Sequence, residues 1–193
     1  AFRREFDAIM DYSVPFMPSS NSKVTLEKFT KNMIPTTPVI VNDNVMGGVS
    51  TSRWNSAGTT FSGKTSLANN GGFASLRWRM RNIQNWSYAK GLYLKVEHSM
   101  PSKHTFNIIL KDANCERVRL SNFKNAFCNP SNNQEDAIFI PFVAFDQMEQ
   151  MGRSIPGSPT FNRGAVTELG VMAIKPTVVG DFELKINEWG LYY

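Results

Sequence analysis

The chain has 193 residues and a mass of 21.7 kDa, and 41% of its residues are apolar. This apolar content excludes an intrinsically disordered chain, and no window reaches the ~18 uncharged apolar residues that a membrane span requires. Charged residues make up only 19% of the chain, whereas phenylalanine alone contributes 14 residues. A sparsely charged, aromatic-rich chain suggests either an all-β core or a surface that is partly covered by a partner, and the length allows one domain with a sizeable core.

The net charge of +5 is distributed unevenly along the chain. Residues 53–124 hold twelve basic and three acidic side chains, whereas residues 125–193 hold four basic and eight acidic ones. Two interpretations are open: an unevenly charged solvated surface, or a basic face that meets an acidic partner, anionic lipid or nucleic acid.

The first 38 residues predict an arm that is distinct from the rest of the chain. Apolar residues at helical spacing, from Phe2 to Met10, indicate a short helix, which Pro15 and Pro18 end. The segment 24–29 predicts a further short helix or turn. We expect the arm 1–38 to cover a sheet edge or to reach a partner.

From residue 39 onward the pattern changes to that of short strands. Apolar and polar residues alternate over 73–80, with Leu76 and Trp78 on one side and Arg77 and Arg79 on the other. The same period of two recurs in three further sets, which are Leu92, Leu94 and Val96; Phe106, Ile108 and Leu110; and Phe182, Leu184 and Ile186. Clusters of Gly, Asn, Pro and Ser separate these runs. Residues 39–193 therefore predict an antiparallel β-sandwich of the jelly-roll type.

One stretch matches the phosphate-binding expression GxxxxGK[ST], from Gly58 to Thr65. That motif needs a buried strand before it and a helix after it, so that backbone amides can surround a phosphate. Residues 53–57 are not apolar enough for such a strand, and residues 66–72 contain two Asn and two Gly. We expect an exposed strand here and no nucleotide site.

No catalytic, cofactor or metal constellation emerges from the sequence. His98 and His104 flank a Met-Pro turn without a carboxylate to orient them, which predicts loop histidines at the surface. Cys115 and Cys128 lack the spacing of metal ligands, and their disulfide state stays open. We therefore expect a protein that is not an enzyme, with no cofactor and no metal.

Two polar turns are the most distinctive motifs. The first contains Asn42, Asp43, Asn44, Met46, Gly47 and Gly48, and the second contains Asn69, Asn70, Gly71 and Gly72. Asx residues followed by paired glycines indicate tight turns in which backbone groups approach closely. Two readings are open: sandwich corners capped by their own side chains, or a polar recognition site at one end of the sandwich.

These turns, with Phe61-Ser62-Gly63 between them, resemble the complex I intermediate-associated protein family, whose pattern is close to NDGVMGGVS, FSG and SLxNNGGFASVR. Similar segments continue to Gly180–Asn187, so the resemblance covers about residues 39–191. Asn44 departs from the glycine of the family pattern, and the N-terminal arm has no counterpart in it.

The resemblance implies a galactose-binding-domain-like β-sandwich and a role in building or stabilising a large membrane electron-transfer complex. The implied location is peripheral to an energy-transducing membrane, in a mitochondrion or, near photosystems, at the thylakoid of a plastid. The implied partners are subunits of such a complex.

A basic stripe offers a docking surface for this role. If Leu76 and Trp78 face the core, then Arg77, Arg79 and Arg81 project together from the opposite face. Arg117 and Arg119 alternate with apolar residues in the same manner. We expect these five arginines to meet acidic subunit loops or anionic lipid headgroups.

Two other classes of function compete with this interpretation. A carbohydrate-binding module is suggested by the fold and by Trp54, Trp78, Trp86 and Tyr88. Nucleic-acid binding is disfavoured, because the arginine stripe lacks exposed aromatic neighbours for base stacking.

Overall fold

The fold is an all-β sandwich of two antiparallel sheets, seen in a computed structural model that describes residues 23–98, 105–129 and 133–193. The predicted fold class is therefore confirmed. The predicted helix within residues 2–10 and His104 lie outside the described residues.

Thirteen strands and four short 3-10 helices make up the described part of the chain. The strands are β1 (Leu26–Lys28), β2 (Val39–Asn42), β3 (Thr51–Asn55), β4 (Thr60–Thr65), β5 (Phe73–Gln84), β6 (Gly91–His98), β7 (Phe106–Asp112), β8 (Ser121–Phe127), β9 (Ile138–Pro141), β10 (Glu149–Gln150), β11 (Arg153–Ser154), β12 (Val166–Ile174) and β13 (Gly180–Tyr192). The 3-10 helices are Asp43–Met46, Ala68–Asn70, Cys115–Arg117 and Phe142–Ala144.

One sheet has the order β3-β4-β13-β6-β9, with β1 paired to the C-terminal end of β13 beyond the residues that β4 covers. The other has the order β11-β10-β8-β7-β12-β5-β2. In each sheet the most extensive pairing joins two strands that are far apart in the sequence, as β5 and β12 are. Edge strands β2 and β3 come directly before and after the first polar turn, so this turn lies where the chain crosses between the sheets.

Side-chain alternation explains which residues fill the space between the sheets. Leu76 and Trp78 of β5 are buried, as are Leu184 and Ile186 of β13, whereas Lys185 between the latter two is exposed. The apolar sets predicted for β6 and β7 also belong to this core. Because successive side chains on a strand point to opposite faces, one sheet face is apolar and the other is left for polar groups.

Three local predictions were wrong or need refinement. Residues 24–29 contain strand β1, because Leu26 to Lys28 pair with Gly190 to Tyr192 rather than forming a helix or turn. His98 ends β6 and is buried, with Nε2 3.2 Å from the carbonyl oxygen of Asn129, so it is not a surface loop histidine. The stretch that matches the phosphate-binding expression lies mostly on β4 and only a three-residue 3-10 helix follows it, but the strand is not exposed as expected, because β4 lies between β3 and β13 and buries Phe61, Ser62 and Thr65.

Candidate functional site

The two polar turns lie together and share one buried carboxylate, that of Asp43. Asp43 Oδ1 accepts a hydrogen bond from the Ser50 amide at 2.9 Å. Its Oδ2 accepts hydrogen bonds from Ser50 Oγ at 2.5 Å and from the amides of Gly72 and Phe73 at 2.6 and 3.3 Å. Asp43 is completely inaccessible to solvent. A single side chain thus fastens the second turn to the first.

Further side-chain bonds complete this clamped turn pair, which we define as residues 42–50 and 66–73. Ser50 Oγ, which donates to Asp43, accepts from the Ser66 amide at 3.0 Å. Asn69 Nδ2 donates to the Gly47 carbonyl at 3.1 Å, and Asn44 Nδ2 donates to the Gly48 carbonyl at 3.0 Å. The polar groups of the turns are therefore largely engaged with one another.

Two glycines are required by the close approach of Asp43. A Cβ atom on Gly48 would lie 2.3 Å from Asp43 Cγ, and one on Gly71 would lie 2.5 Å from Asp43 Oδ2. Gly47 has a different role, since its φ of 86° lies in the left-handed region that glycine adopts without strain. Asn44, where the family pattern has glycine, lies within the 3-10 helix before it.

The pKa of Asp43 is lowered by this environment. Burial disfavours the charged carboxylate and acts to raise the pKa, but the hydrogen bonds from Ser50, Gly72 and Phe73 outweigh it. The pKa of Asp43 therefore lies below its ordinary value, and the carboxylate is ionised at neutral pH. No water-accessible oxygen of Asp43 is left for a ligand.

The clamped turn pair exposes apolar side chains beside the polar Asn44, Asn69 and Asn70. Four side chains are more than half exposed there, and we call them the apolar tip: Val45 at 74%, Met46 at 54%, Val49 at 51% and Leu67 at 55%. Sequence reasoning singled out Met46 but not the other three. Their signal was available, because the turn sequences place apolar residues among Asn and Gly, where turns are usually polar.

The basic stripe differs from the prediction at Arg77. The side chain of Arg77 is 9% exposed and its Nη1 lies 3.3 Å from Oε1 of the buried Glu168. It also runs along Gly170, where a Cβ atom would lie 2.8 Å from Arg77 Cδ. Arg77 is therefore not available as a docking residue, because its charge is neutralised within the sheet face. Burial lowers the pKa of Arg77 more than Glu168 raises it.

Glu168 was missed by sequence reasoning, although one signal could have found it. It is a lone carboxylate within the otherwise uncharged strand β12. Such a group is almost never buried unless it is paired, and here it pairs with both Arg77 and Arg79. Arg79 Nε lies 3.4 Å from Glu168 Oε2, but the Arg79 side chain is 65% exposed and remains accessible.

The remaining predicted arginines are exposed, but only one of them lies on a strand. Arg81 is exposed on β5. Arg117 ends a 3-10 helix and Arg119 follows it in the β7–β8 connection, where Leu120 has a φ of 61°. The register places this connection and the C-terminal end of β5 at the same end of the sheet, since Val166 pairs with both Asp112 and Gln84.

The aromatic residues proposed for sugar stacking are mostly internal. Trp78 and Trp86 are 2% and 3% exposed, Trp54 is half-buried, and only Tyr88 of the four is fully exposed, at 89%. Trp54 packs edge-on against Trp78 with ring centroids 5.5 Å apart. These four residues do not form one exposed aromatic platform.

Within the described ranges, no group of three or more His, Cys, Asp or Glu side chains is arranged to hold a metal ion. The same part of the chain contains no helix with the length and hydrophobicity of a membrane span.

Several solved structures match the chain at low sequence identity and at TM-scores below 0.5. An agarase, AgWH50C, matches at 7% identity and a TM-score of 0.48, over 87% of this chain and 26% of its own. An exo-beta-agarase matches at 9% identity and a TM-score of 0.48, over 89% of this chain and 25% of its own. This chain thus spans about a quarter of the length of these agarases.

A family 11 carbohydrate-binding module from Clostridium thermocellum, in complex with a beta-1,3-1,4-mixed-linked tetrasaccharide, matches at 11% identity and a TM-score of 0.47, over 92% of this chain and 93% of its own. No curated protein sequence matches the chain significantly.

Comparison with known protein families gives one match, over residues 28–186, which is most of the chain and includes both polar turns. The matched segment starts at the end of β1, eleven residues before the resemblance seen in the sequence, and it ends within β13. The chain belongs to the complex I intermediate-associated protein 30 (CIA30) family.

Proposed function

We propose that this protein is a non-enzymatic assembly or accessory subunit of a large membrane electron-transfer complex, of the respiratory complex I or photosystem type. Membership in the CIA30 family supports the class of function. The proposed location is the organelle of such a complex, a mitochondrion or a plastid, at the periphery of its energy-transducing membrane. The proposed partners are protein subunits, with anionic headgroups as a secondary contact and without nucleic acid.

One observation carries the proposed mode of action, which is the apolar tip on the clamped turn pair. Val45, Met46, Val49 and Leu67 expose apolar surface although the backbone beneath them is fastened by Asp43. An interface gains affinity when its contact residues are already ordered, because less conformational entropy is lost on binding. Exposed Met is also typical of surfaces that adapt to a partner.

The exposed arginines suit the rim of such an interface rather than its centre. Arg79 and Arg81 project from β5, and both remain accessible to solvent. Rim charges mainly accelerate and orient the encounter with an acidic partner, and their effect weakens with salt. Burial of Arg77 leaves this smaller basic face in place of the predicted stripe.

The test is native gel electrophoresis of solubilised organellar membranes that carry the tagged chain. We expect the wild type to co-migrate with a large complex, and the variant Val45→Ser with Met46→Ser to shift to the free monomer. Val143→Ser, at an 81% exposed site outside the turn pair, is the matched control and should co-migrate like the wild type.

Two results would contradict the proposal in different ways. Quantitative migration of the wild type as a free monomer would overturn the assembly role itself. Co-migration of the Val45→Ser with Met46→Ser variant at wild-type level would leave that role intact but would remove the apolar tip from it.

The carbohydrate-binding alternative has weaker structural support. Two of its four proposed aromatic residues, Trp78 and Trp86, are in the core and cannot stack on a sugar ring. A glycan array on which the protein gives no signal above background would exclude this alternative.

A further inference from the structure

A second candidate binding site lies on the open side of the sandwich, between edge strand β3 and the segment that links β1 to β2. It is a cavity of about 280 Å³ whose inner wall is formed by Trp54, Trp189 and Phe29, with Trp78 contributing only the 2% of its surface that is exposed. Neither the polar turns nor the basic face contribute to it. It is not part of the docking surface proposed for the apolar tip.

The inner wall is built from rings that hold one another in place. Trp78 and Trp189 pack at 4.8 Å between ring centroids with an interplanar angle of 73°, and Phe29 packs edge-on against Trp189 at 5.8 Å. The Phe29 amide also donates to the Trp189 carbonyl at 3.0 Å, which fixes the linking segment to β13. The cavity is therefore a formed feature of the fold.

The outer wall is polar and carries one kind of charge. Lys31 is exposed at the opening, together with hydroxyl groups of residues such as Thr36 and Ser56. Among the described residues that line the cavity, Lys31 is the sole charged side chain, and no carboxylate joins it. Glu27, the nearest acidic residue in sequence, accepts a hydrogen bond from the Tyr193 hydroxyl instead.

The size and the chemistry of the lining restrict what can enter. A volume of about 280 Å³ lies just below the ~300–1,000 Å³ of sites for drug-sized ligands, so a nucleotide or a large cofactor is too big. Recognition of a sugar needs several directional polar groups, yet no Asn, Asp, Gln, Glu, Arg or His lines the cavity. One bulky apolar side chain fits both the volume and the aromatic wall.

A buried donor adds to this picture. Trp54 Nε1 is inaccessible to solvent and has no hydrogen-bond partner among the described residues. Such unpaired buried N–H groups are uncommon in folded proteins. This unpaired N–H belongs to a ring of the cavity wall, so its NMR signal reports on any molecule that enters.

We infer that this cavity binds a bulky apolar side chain of a partner polypeptide whose neighbouring residues are acidic. The aromatic wall accepts the side chain, and Lys31 attracts the flanking carboxylates. This inference deepens the proposed docking role and rests on it, but it concerns a surface other than the apolar tip.

The indole N–H signals of the full chain provide a direct test by two-dimensional ¹H–¹⁵N NMR. The chain has four Trp, of which Trp54, Trp78 and Trp189 line the cavity and Trp86 does not. The probe is the peptide acetyl-Glu-Phe-Glu-amide, with acetyl-Glu-Ala-Glu-amide and acetyl-Lys-Phe-Lys-amide as controls. We expect the first peptide to shift the signals of Trp54 and Trp189 strongly and that of Trp86 weakly, since Trp86 touches the cavity only through Phe29, at 5.5 Å between ring centroids.

Variants at the opening sharpen the test. Lys31→Glu should lower the affinity for the Glu-Phe-Glu peptide about fivefold, and this variant should bind the Lys-Phe-Lys peptide more tightly instead. Lys28→Glu on β1, an exposed lysine that does not line the cavity, is the matched control and should have little effect. Ser56→Phe should fill the opening and abolish the shifts caused by the peptide.

Several results would overturn the inference. These are equal shifts from the Phe and Ala peptides, a charge preference that Lys31→Glu leaves unchanged, or shifts from galactose or a mixed-linked β-glucan where the peptides give none. The native-gel experiment fails or succeeds independently. If co-migration depends on the apolar tip but no peptide binds, the cavity proposal fails alone; if peptides bind but the wild type runs as a monomer, the assembly role fails alone.

Discussion

Asp43 and Arg77 are both charged residues of the sandwich, and the fold buries both. The sequence left open whether Asp43 caps its own turns or contacts another molecule, whereas Arg77 was expected to meet a partner. The negative charge of Asp43 is stabilised by hydrogen bonds from uncharged donors, namely three backbone amides and one hydroxyl. Arg77 is neutralised by an opposite charge, that of Glu168. In each region the buried charged residue is close in sequence to an exposed residue, which is Met46 for Asp43 and Arg79 for Arg77.

This difference teaches how each region can be altered. Three of the four donors to Asp43 are backbone amides, which no side-chain substitution can remove when the carboxylate is lost. The partner of Arg77 is a side chain, so a second substitution can compensate for the first. Stability measurements can therefore separate the two modes of charge burial.

The largest expected effect is that of Asp43→Ala. This change leaves the amides of Ser50, Gly72 and Phe73 without their acceptor, and it should lower the free energy of unfolding by about 4 kcal/mol. Urea denaturation is the measurement, and Asp181→Ala, at an exposed residue of β13, is the control. A loss below about 1 kcal/mol would show that Asp43 does not fasten the turns.

The second effect is that of Glu168→Ala, which leaves the Arg77 guanidinium buried without its partner. We expect the free energy of unfolding to fall by about 3 kcal/mol. Adding Arg77→Met to Glu168→Ala should restore a large part of that loss, because the unpaired buried charge is removed. Additive losses in the double variant would contradict this account of the pair.

The third prediction concerns pH and Asp43 alone. Because the folded pKa of Asp43 lies below the value of about 3.9 in an unfolded chain, its stabilising contribution is complete above that value and is lost as pH falls through the folded pKa. The stability difference between wild type and Asp43→Asn should therefore shrink between about pH 5 and the folded pKa. Urea midpoints measured at several pH values test this, and a difference that grows as pH falls in this range would contradict it.

The smallest expected effect is that of Arg79→Ala. Its ion pair with Glu168 is largely solvent-exposed on the Arg79 side, so the loss in the free energy of unfolding should be at most about 0.5 kcal/mol. The same variant should slow association with an acidic partner at low salt. A loss as large as that of Glu168→Ala would mean that Arg79, and not Arg77, is the main partner of Glu168.

Sequence periodicity predicted much of the fold, because a half-buried strand must alternate apolar and polar residues. The apolar sets of β5, β6, β7 and β13 were all visible in this way. Strand β1 was not visible, since its three residues are all exposed and it is stabilised only by pairing with β13. Short edge strands of this kind carry no apolar alternation from which they could be predicted.

The candidate site was predicted in part. The Asx and glycine residues indicated turns in which backbone groups approach closely, and the structure contains them. The same family pattern in the sequence included both turns. The sequence did not decide whether Asp43 faces inward, and it did not reveal that Val49 and Leu67 are exposed as Met46 is. These orientations depend on which backbone amides come within reach of the carboxylate, and that is fixed only when β4 and β5 are in place.

The sequence by itself determined the all-β class, the positions of β5, β6, β7 and β13 and the family resemblance, because these follow from alternation and from turn residues that are local in the chain. The tertiary structure alone decided which charges are buried and which apolar residues are exposed. Glu168 lies 91 residues from Arg77, and Trp189 lies far along the chain from Phe29 and Trp54. Pairing over such separations is set by sheet register and by the packing of one sheet on the other, which no local pattern contains.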